Sequence, residues 1–173
     1  DSPAEKRVYY FEDQRSYHTL KTGWVHDEGH WYYLQKDSGF DARIDSLMVG
    51  ELVRGWTNDN STWYYLDPIT ATMQTGWKQL GNKWYYFRSS GAMATGWYQE
   101  GSTWYYLDQS NGDLKIGWQN LGNKWYYLRS SGAMATGWFQ VGSKWYYAYS
   151  SGALAVNTTV DGYSVNYNGE WVQ

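Results

Sequence analysis

The sequence has no cysteine, two prolines and three histidines in 173 residues. Lack of cysteine excludes disulfides, thiolate metal sites and a thiol nucleophile, although it does not fix the compartment. There is no run of about 18 apolar residues, the length a membrane-crossing helix needs. Positive charge is not in excess either. Fourteen Lys and Arg face 17 Asp and Glu, for a net charge of −3, which argues against binding nucleic acid by bulk charge. No signal peptide is read at the start. The opening Asp1-Ser2-Pro3 has the look of a processed or trimmed N-terminus. What the chain does have is rings: 13 Trp, 19 Tyr and 4 Phe, with a mean hydropathy of only −0.74. That aromatic fraction does not fit a disordered linker, despite 19 glycines. The length suits one domain or one repeat array.

The rings fall in register. Gly-Trp occurs at Gly23-Trp24, Gly55-Trp56, Gly76-Trp77, Gly96-Trp97, Gly117-Trp118 and Gly137-Trp138. Trp-Tyr-Tyr begins at Trp31, Trp63, Trp84, Trp104, Trp125 and Trp145, always seven residues after the Gly-Trp tryptophan. From Trp56 the steps are 21, 20, 21 and 20 (56→77→97→118→138), whereas 24→56 is 32 and carries an insertion. Gly76–Trp97 and Gly117–Trp138 match at 19 of 22 positions. Such periodicity marks a tandem array. Three regions are expected: degenerate or atypical repeats with an insertion at about 35–54 in residues 1–54, regular repeats over 55–156, and a degenerate C-terminal capping repeat over 157–173. Val8-Tyr9-Tyr10-Phe11 reads as a degenerate triplet. Asn157-Thr158 and Val165-Asn166-Tyr167 stand where Gly-Trp and Trp-Tyr-Tyr belong, as capping units do.

Within a repeat, Trp84-Tyr85-Tyr86-Phe87 is a β-prone run. Gly81-Asn82, Gly101-Ser102, Gly122-Asn123 and Gly142-Ser143 suit tight hairpin turns. A Leu or Met lies three residues before each Gly-Trp glycine: Leu20, Leu52, Met73, Met93, Leu114 and Met134, with Leu154 in the last unit. A place reserved for these two residue types reads as core. A lone hairpin is marginal in water, so the hairpins should stack. The expected fold is all-β, a solenoid of tandem β-hairpins of about 20 residues with no large globular core.

One reading buries every ring. It suits the middle tyrosines Tyr32, Tyr64, Tyr85, Tyr105, Tyr126 and Tyr146. It does not suit two indoles per hairpin, which exceed what so small a unit can hide. Tryptophans lining grooves between hairpins attract quaternary ammonium ions through their π faces. Stacking of sugars is the alternative. Constant rings beside interchangeable neighbours (Lys78, Tyr98, Gln119, Phe139) favour the cation, because sugars need fixed polar partners. The carboxylates are scattered and none recurs at a motif position, so no glycosidase pair is read and no catalytic residue is assigned. His26 and His30 lie across a turn and His18 stands alone, so no metal site or cofactor is expected. In 35–54, Ile44, Leu47 and Met48 fit a short amphipathic helix. The segment reads as a loop insertion packed on the array, or, more sharply, as a surface for a host or wall partner.

Gly76-Trp77-Lys78-Gln79-Leu80-Gly81-Asn82-Lys83-Trp84-Tyr85-Tyr86-Phe87, followed by Gly91-Ala92-Met93 and Gly96-Trp97, resembles the choline-binding repeat of Gram-positive, pneumococcal-type surface proteins. The resemblance covers about residues 20–156 well and both ends weakly. It implies non-catalytic, noncovalent anchoring to phosphocholine on teichoic and lipoteichoic acids, outside the cell and attached to the wall. It also implies sites of three rings between consecutive repeats: both tryptophans of one repeat and a ring of the next. Strand parity selects the last tyrosine of the next triplet. The expected sites are then Trp56, Trp63 and Tyr86; Trp77, Trp84 and Tyr106; Trp97, Trp104 and Tyr127; Trp118, Trp125 and Tyr147; and Trp138, Trp145 and Tyr167. A site from Trp24, Trp31 and Tyr65 is doubtful, because the insertion intervenes. The Leu/Met position is a candidate apolar wall. A host protein at the N-terminal part and a choline-dependent dimer are further partner expectations, with no nucleic acid and no membrane insertion. Related aromatic repeats bind glucans, which is the alternative function.

Overall fold

In a computed structural model, residues 21–36 and 50–173 are described. The degenerate N-terminal triplet, Leu20, His18 and the helix expected around Ile44 lie outside them. The described residues are all-β and form fifteen strands. These are β1 (Gly23–Asp27), β2 (His30–Leu34), β3 (Gly55–Asp59), β4 (Thr62–Leu66), β5 (Gly76–Leu80), β6 (Lys83–Phe87), β7 (Gly96–Glu100), β8 (Thr103–Leu107), β9 (Gly117–Leu121), β10 (Lys124–Leu128), β11 (Gly137–Val141), β12 (Lys144–Ala148), β13 (Thr158–Val160), β14 (Tyr163–Val165) and β15 (Trp171–Val172). Every Gly-Trp opens the first strand of a pair and every Trp-Tyr-Tyr sits in the second. β1–β2, β3–β4, β7–β8, β9–β10 and β11–β12 are antiparallel hairpins in one register, in which Trp97 faces Tyr106 and Gln99 faces Trp104. No helix among the described residues is long and apolar enough to cross a membrane.

Two turn features explain why this sequence makes hairpins. At one tip Asn60 and Ser61 have φ of 50° and 64°. Positive φ at both central residues matches the right-handed twist of the flanking strands. The glycine of Gly-Trp is needed for backbone freedom rather than for space. At Gly137 φ is +69° and an added Cβ would meet nothing within 4 Å.

The chain forms two compact units, one of the described residues up to Lys78 with Phe87–Met93, the other of Gln79–Tyr86 and Ala94–Gln173. In each, the segment after one hairpin returns to the hairpin before it. In the first unit the Met73 N–H donates to the Trp31 carbonyl and the Met93 N–H to that of Trp63, both at 2.8 Å. In the second, Leu114, Met134 and Leu154 donate in the same way to Trp84, Trp104 and Trp125. The same residues bridge their own hairpins, as in Leu107↔Leu114 and Leu128↔Met134. The Leu/Met position therefore ties two hairpins together through its backbone.

The fully buried series is a different one. Leu34, Leu66, Phe87, Leu107 and Leu128 are 0% exposed, and Ala148 and Val165 nearly so. All but Val165 directly follow a Trp-Tyr-Tyr. Ala71, Ala94, Ala135 and Ala155 are buried as well. Tyr33, Val53, Tyr106, Phe139 and Tyr146 are buried with them, so the core is a series of small local clusters along the hairpins.

Residues 33–35 and 50–53, on either side of the segment 37–49, are tied together by backbone hydrogen bonds. The Gln35 N–H donates to Glu51, the Gly50 N–H to Gln35 and the Val53 N–H to Tyr33. Beside them, Asp59 accepts hydrogen bonds from Lys36 Nζ at 2.7 Å, Trp24 Nε1 at 3.1 Å and Tyr33 Oη at 3.1 Å. The Lys36 bond holds the Asp59 carboxyl below its ordinary value, and burial pushes the Tyr33 phenol up. A carboxylate held down stabilises the fold above the ordinary carboxyl range, and that stability is lost as pH falls through the lowered value. Asp59→Asn should therefore unfold at lower denaturant than the parent at pH 7. The gap should close as pH falls below the ordinary aspartate range and through the lowered value, which urea titrations at several pH values will measure.

Candidate functional site

Trp97, Gln99, Trp104 and Tyr106 share one face of the β7–β8 hairpin, and Tyr98, Tyr105 and Leu107 share the other. On the first face Trp97 stands edge-on to Trp104 with ring centroids 6.3 Å apart, and to Tyr106 at 5.1 Å. The ring that the next hairpin brings to this pair is Tyr126, 5.0 Å from Trp97. Met134 and the Ser150-Ser151 turn complete a cavity of about 290 Å³. The triplet tryptophans are not core residues. Trp104 and Trp125, the least and most exposed of them, are 38% and 47% exposed.

The next groove repeats this construction. Trp118, Trp125, Tyr146, Leu154, Val156, Tyr167, Asn168 and Glu170 line about 350 Å³. Tyr146 lies 4.9 Å from Trp118, and Phe139 stacks behind it at 5.8 Å. The last groove, about 330 Å³, is lined by Trp138, Trp145, Tyr163 and Trp171. In the first unit Trp24 lies 4.6 Å from Tyr64, while the Met73 backbone meets Trp31. Despite the insertion, the next hairpin brings Tyr64 rather than Tyr65 against Trp24. Trp56 and Trp63 face each other at 6.2 Å. Tyr86, expected with them, belongs to the second unit, as do Trp84 and Tyr106, expected with Trp77.

The expected tryptophan pairs are thus brought together at Trp56/Trp63, Trp97/Trp104, Trp118/Trp125 and Trp138/Trp145. The third ring is not where strand parity put it. Tyr127 packs on Trp118 of its own hairpin at 5.0 Å and stacks on Phe139 at 5.3 Å. Tyr147 packs on its own Trp138 at 5.3 Å, and Tyr106 is 7% exposed. The reason is geometric. Adjacent hairpins meet through opposite faces, so the ring reaching a neighbour's tryptophans comes from the face away from its own. The middle tyrosines Tyr126 and Tyr146 therefore line the Trp97 and Trp118 grooves, while Tyr106 and Tyr127 pack against the tryptophans of their own hairpins. Tyr126→Ala should weaken ligand uptake at the Trp97 groove with little loss of stability. Tyr127→Ala should cost stability first, about 3–5 kcal/mol if its site is as tight as a core aromatic's. Ligand titration combined with urea unfolding of both variants separates the two effects.

Tyr167 is also placed differently. It is 74% exposed and lines the Trp118 groove rather than the Trp138 one. In the C-terminal hairpin Thr158 pairs with Val165 where Gly137 pairs with Ala148, so each strand is two residues shorter. Counting back from buried Val165, Tyr163 holds the place of a middle tyrosine. Val165 pairs with Trp171 as Ala148 bridges Leu154, so Trp171 holds the Leu/Met place. Sequence reasoning missed both residues. The signal is the glycine two residues before five of the Leu/Met places (Gly50, Gly91, Gly112, Gly132 and Gly152), which recurs as Gly169 before Trp171.

Charges near the grooves are tied up. Trp138 Nε1 donates to Asp161 at 3.3 Å, and Glu170 is paired with Lys144 and accepts from Asn166 at 3.2 Å. The Lys144 bond holds the Glu170 carboxyl below its ordinary value. His26 packs its ring on Trp31 at 4.9 Å.

Residues 74–117 and 115–158 match the choline-binding repeat model, and 22–39 and 55–68 match a cell wall binding repeat model. No curated protein matches. Among solved structures, the chain is similar to CbpJ of Streptococcus pneumoniae TIGR4 at 56% identity and a TM-score of 0.70, over 96% of this chain and 70% of that one. It is similar to choline binding protein F of Streptococcus pneumoniae, solved in the presence of a peptidoglycan analogue, at 58% identity and a TM-score of 0.62. That match covers 89% of this chain and 58% of the other. The modular autolysin LytC of Streptococcus pneumoniae is similar at 27% identity and a TM-score of 0.59, over 95% of this chain and 40% of LytC. The 41-residue offset between the two family-model matches is two hairpins, the distance between the near-identical units Gly76–Trp97 and Gly117–Trp138. Repeat, register and relatives agree: the chain belongs to the choline-binding repeat family, of the pneumococcal type.

Proposed function

We propose that the chain is a non-catalytic module that holds to the outside of the cell wall by binding phosphocholine on teichoic and lipoteichoic acids. Each groove acts as a cage in which the trimethylammonium group meets two tryptophans, the middle tyrosine of the next hairpin and an apolar wall. The observation that carries this reading is the Trp97 groove, where rings 5.0–6.3 Å apart and inclined at 64–85° line a common cavity. Ring faces carry negative charge density, and a methylated cation sheds its water readily, so the contact is favourable at about 0.5–2 kcal/mol per ring. Three rings supply a few kcal/mol, and about 4 kcal/mol corresponds to millimolar affinity. A carboxylate pair for glycoside cleavage has no counterpart in these grooves, whose nearby Asp161 and Glu170 serve hydrogen bonds instead. Choline should change the tryptophan fluorescence at millimolar concentration and elute the protein from a quaternary-amine resin. Fluorescence that responds to dextran and ignores choline would replace this reading with a glucan-binding one.

A further inference from the structure

The grooves differ in their fourth side. It is Met134 in the Trp97 groove and Leu154 in the Trp118 groove, but an indole, Trp171, in the Trp138 groove. We infer that the Trp138–Trp145–Tyr163–Trp171 box is the tightest quaternary-ammonium site among the described grooves and that Trp171 makes it so. The inference rests on the choline-binding reading and ranks the sites within it.

The geometry is that of a box rather than a stack. Tyr163 stands 5.7 Å from Trp138 at 84° and 6.2 Å from Trp171 at 76°. Near-perpendicular rings line a shared interior, so a cation inside meets half-buried Trp171 as a fourth ring, where the Trp118 groove has only the largely exposed Tyr167 and the Trp97 groove has no fourth ring. A full negative charge is also at hand. The Asp161 carboxylate accepts the Trp138 indole N–H, which enriches that ring in electron density and attracts a cation to the box edge.

Packing explains why the indole occurs here and not in the other grooves. The Leu/Met side chains are pressed beneath a glycine of the following repeat. A Cβ on Gly152 would lie 2.2 Å from Met134 Sδ, and one on Gly169 would lie 2.6 Å from Leu154 Cδ2. That space takes a slim, flexible side chain and not a bicyclic ring. No described glycine is packed on Trp171 in this way. Trp171 is held through its backbone, by the pairing of β15 with β14 at Val165↔Trp171 and Ser164↔Val172.

One additional ring should tighten this site roughly 3- to 30-fold over its neighbours. Calorimetric titration of the chain with choline tests this. The expected isotherm has one tight site followed by a weaker class. Trp171→Leu installs the residue of the Leu114 and Leu154 places. It should merge the tight site into the weaker class without changing the number of sites, while Trp171→Phe should keep part of the advantage. A parent isotherm with a single affinity class, or a Trp171→Leu variant that keeps the tight site, would overturn the ranking and leave choline binding standing. No uptake of choline by the parent would overturn both.

Discussion

A polymer carrying many choline groups should bind this protein about 100- to 10,000-fold more tightly than free choline does. The expectation follows from the weakness of each cage and from their number. One cage reaches about millimolar affinity. Once one choline of a polymer is held, the next is presented to a neighbouring groove at high effective concentration, so binding energies accumulate without new contacts. The grooves at Trp97, Trp118 and Trp138 each combine two tryptophans of one hairpin with a tyrosine of the next. Removing one cage with Trp97→Ala should lower free-choline stoichiometry by one and leave the other sites unchanged. On the polymer the same substitution should cost a multiplicative factor. Surface plasmon resonance on phosphocholine-bearing polymers of low and high valency measures both. Equal affinity for free and polymeric choline would mean that the grooves do not engage together.

Gly152→Ala should destabilise the second unit by about 2–4 kcal/mol, the sum of a left-handed backbone carrying a side chain and an overpacked contact. Gly152 has φ +81°, and its added Cβ would fall 2.2 Å from Met134 Sδ. Gly137→Ala is the control. With φ +69° and open space around its Cβ, it should cost only the backbone strain, about 1–2 kcal/mol. Guanidinium unfolding of the two variants gives the difference. The larger cost has a functional counterpart. Met134 can relieve the clash only by moving, and it lines the Trp97 cavity, so choline affinity there should fall in Gly152→Ala and not in Gly137→Ala. Equal costs for the two variants would show that Met134 swings aside freely.

Much of this architecture is legible in the sequence because each element is written in local chemistry. Turn pairs such as Asn60-Ser61 fix the hairpin tips, and the seven-residue step from Trp97 to Trp104 sets both indoles on one face. The third ring was not legible in the same way. Parity along a strand says which residues share a face but not which face meets the neighbour, and stacking through opposite faces exchanges Tyr127 for Tyr126. The Leu/Met place reads both as core and as a candidate apolar wall, and Met134 and Leu154 line grooves. The fully buried place belongs to the residue after the triplet, an apolar series hidden beside more conspicuous tryptophans. At the C-terminal end, shortened strands shift the register. A triplet-based alignment therefore selected Tyr167, where the backbone pairing selects Tyr163 and Trp171.

The central claim is that these grooves recognise a cation through ring faces and not merely an apolar group of suitable size. Titration of tryptophan fluorescence with choline, and in parallel with its uncharged isostere in which carbon replaces the ammonium nitrogen, tests it most directly. A saturable change at millimolar choline, with the isostere failing to reproduce it at the same concentrations, is the predicted result. Equal responses to both ligands, or no response to choline, would contradict it.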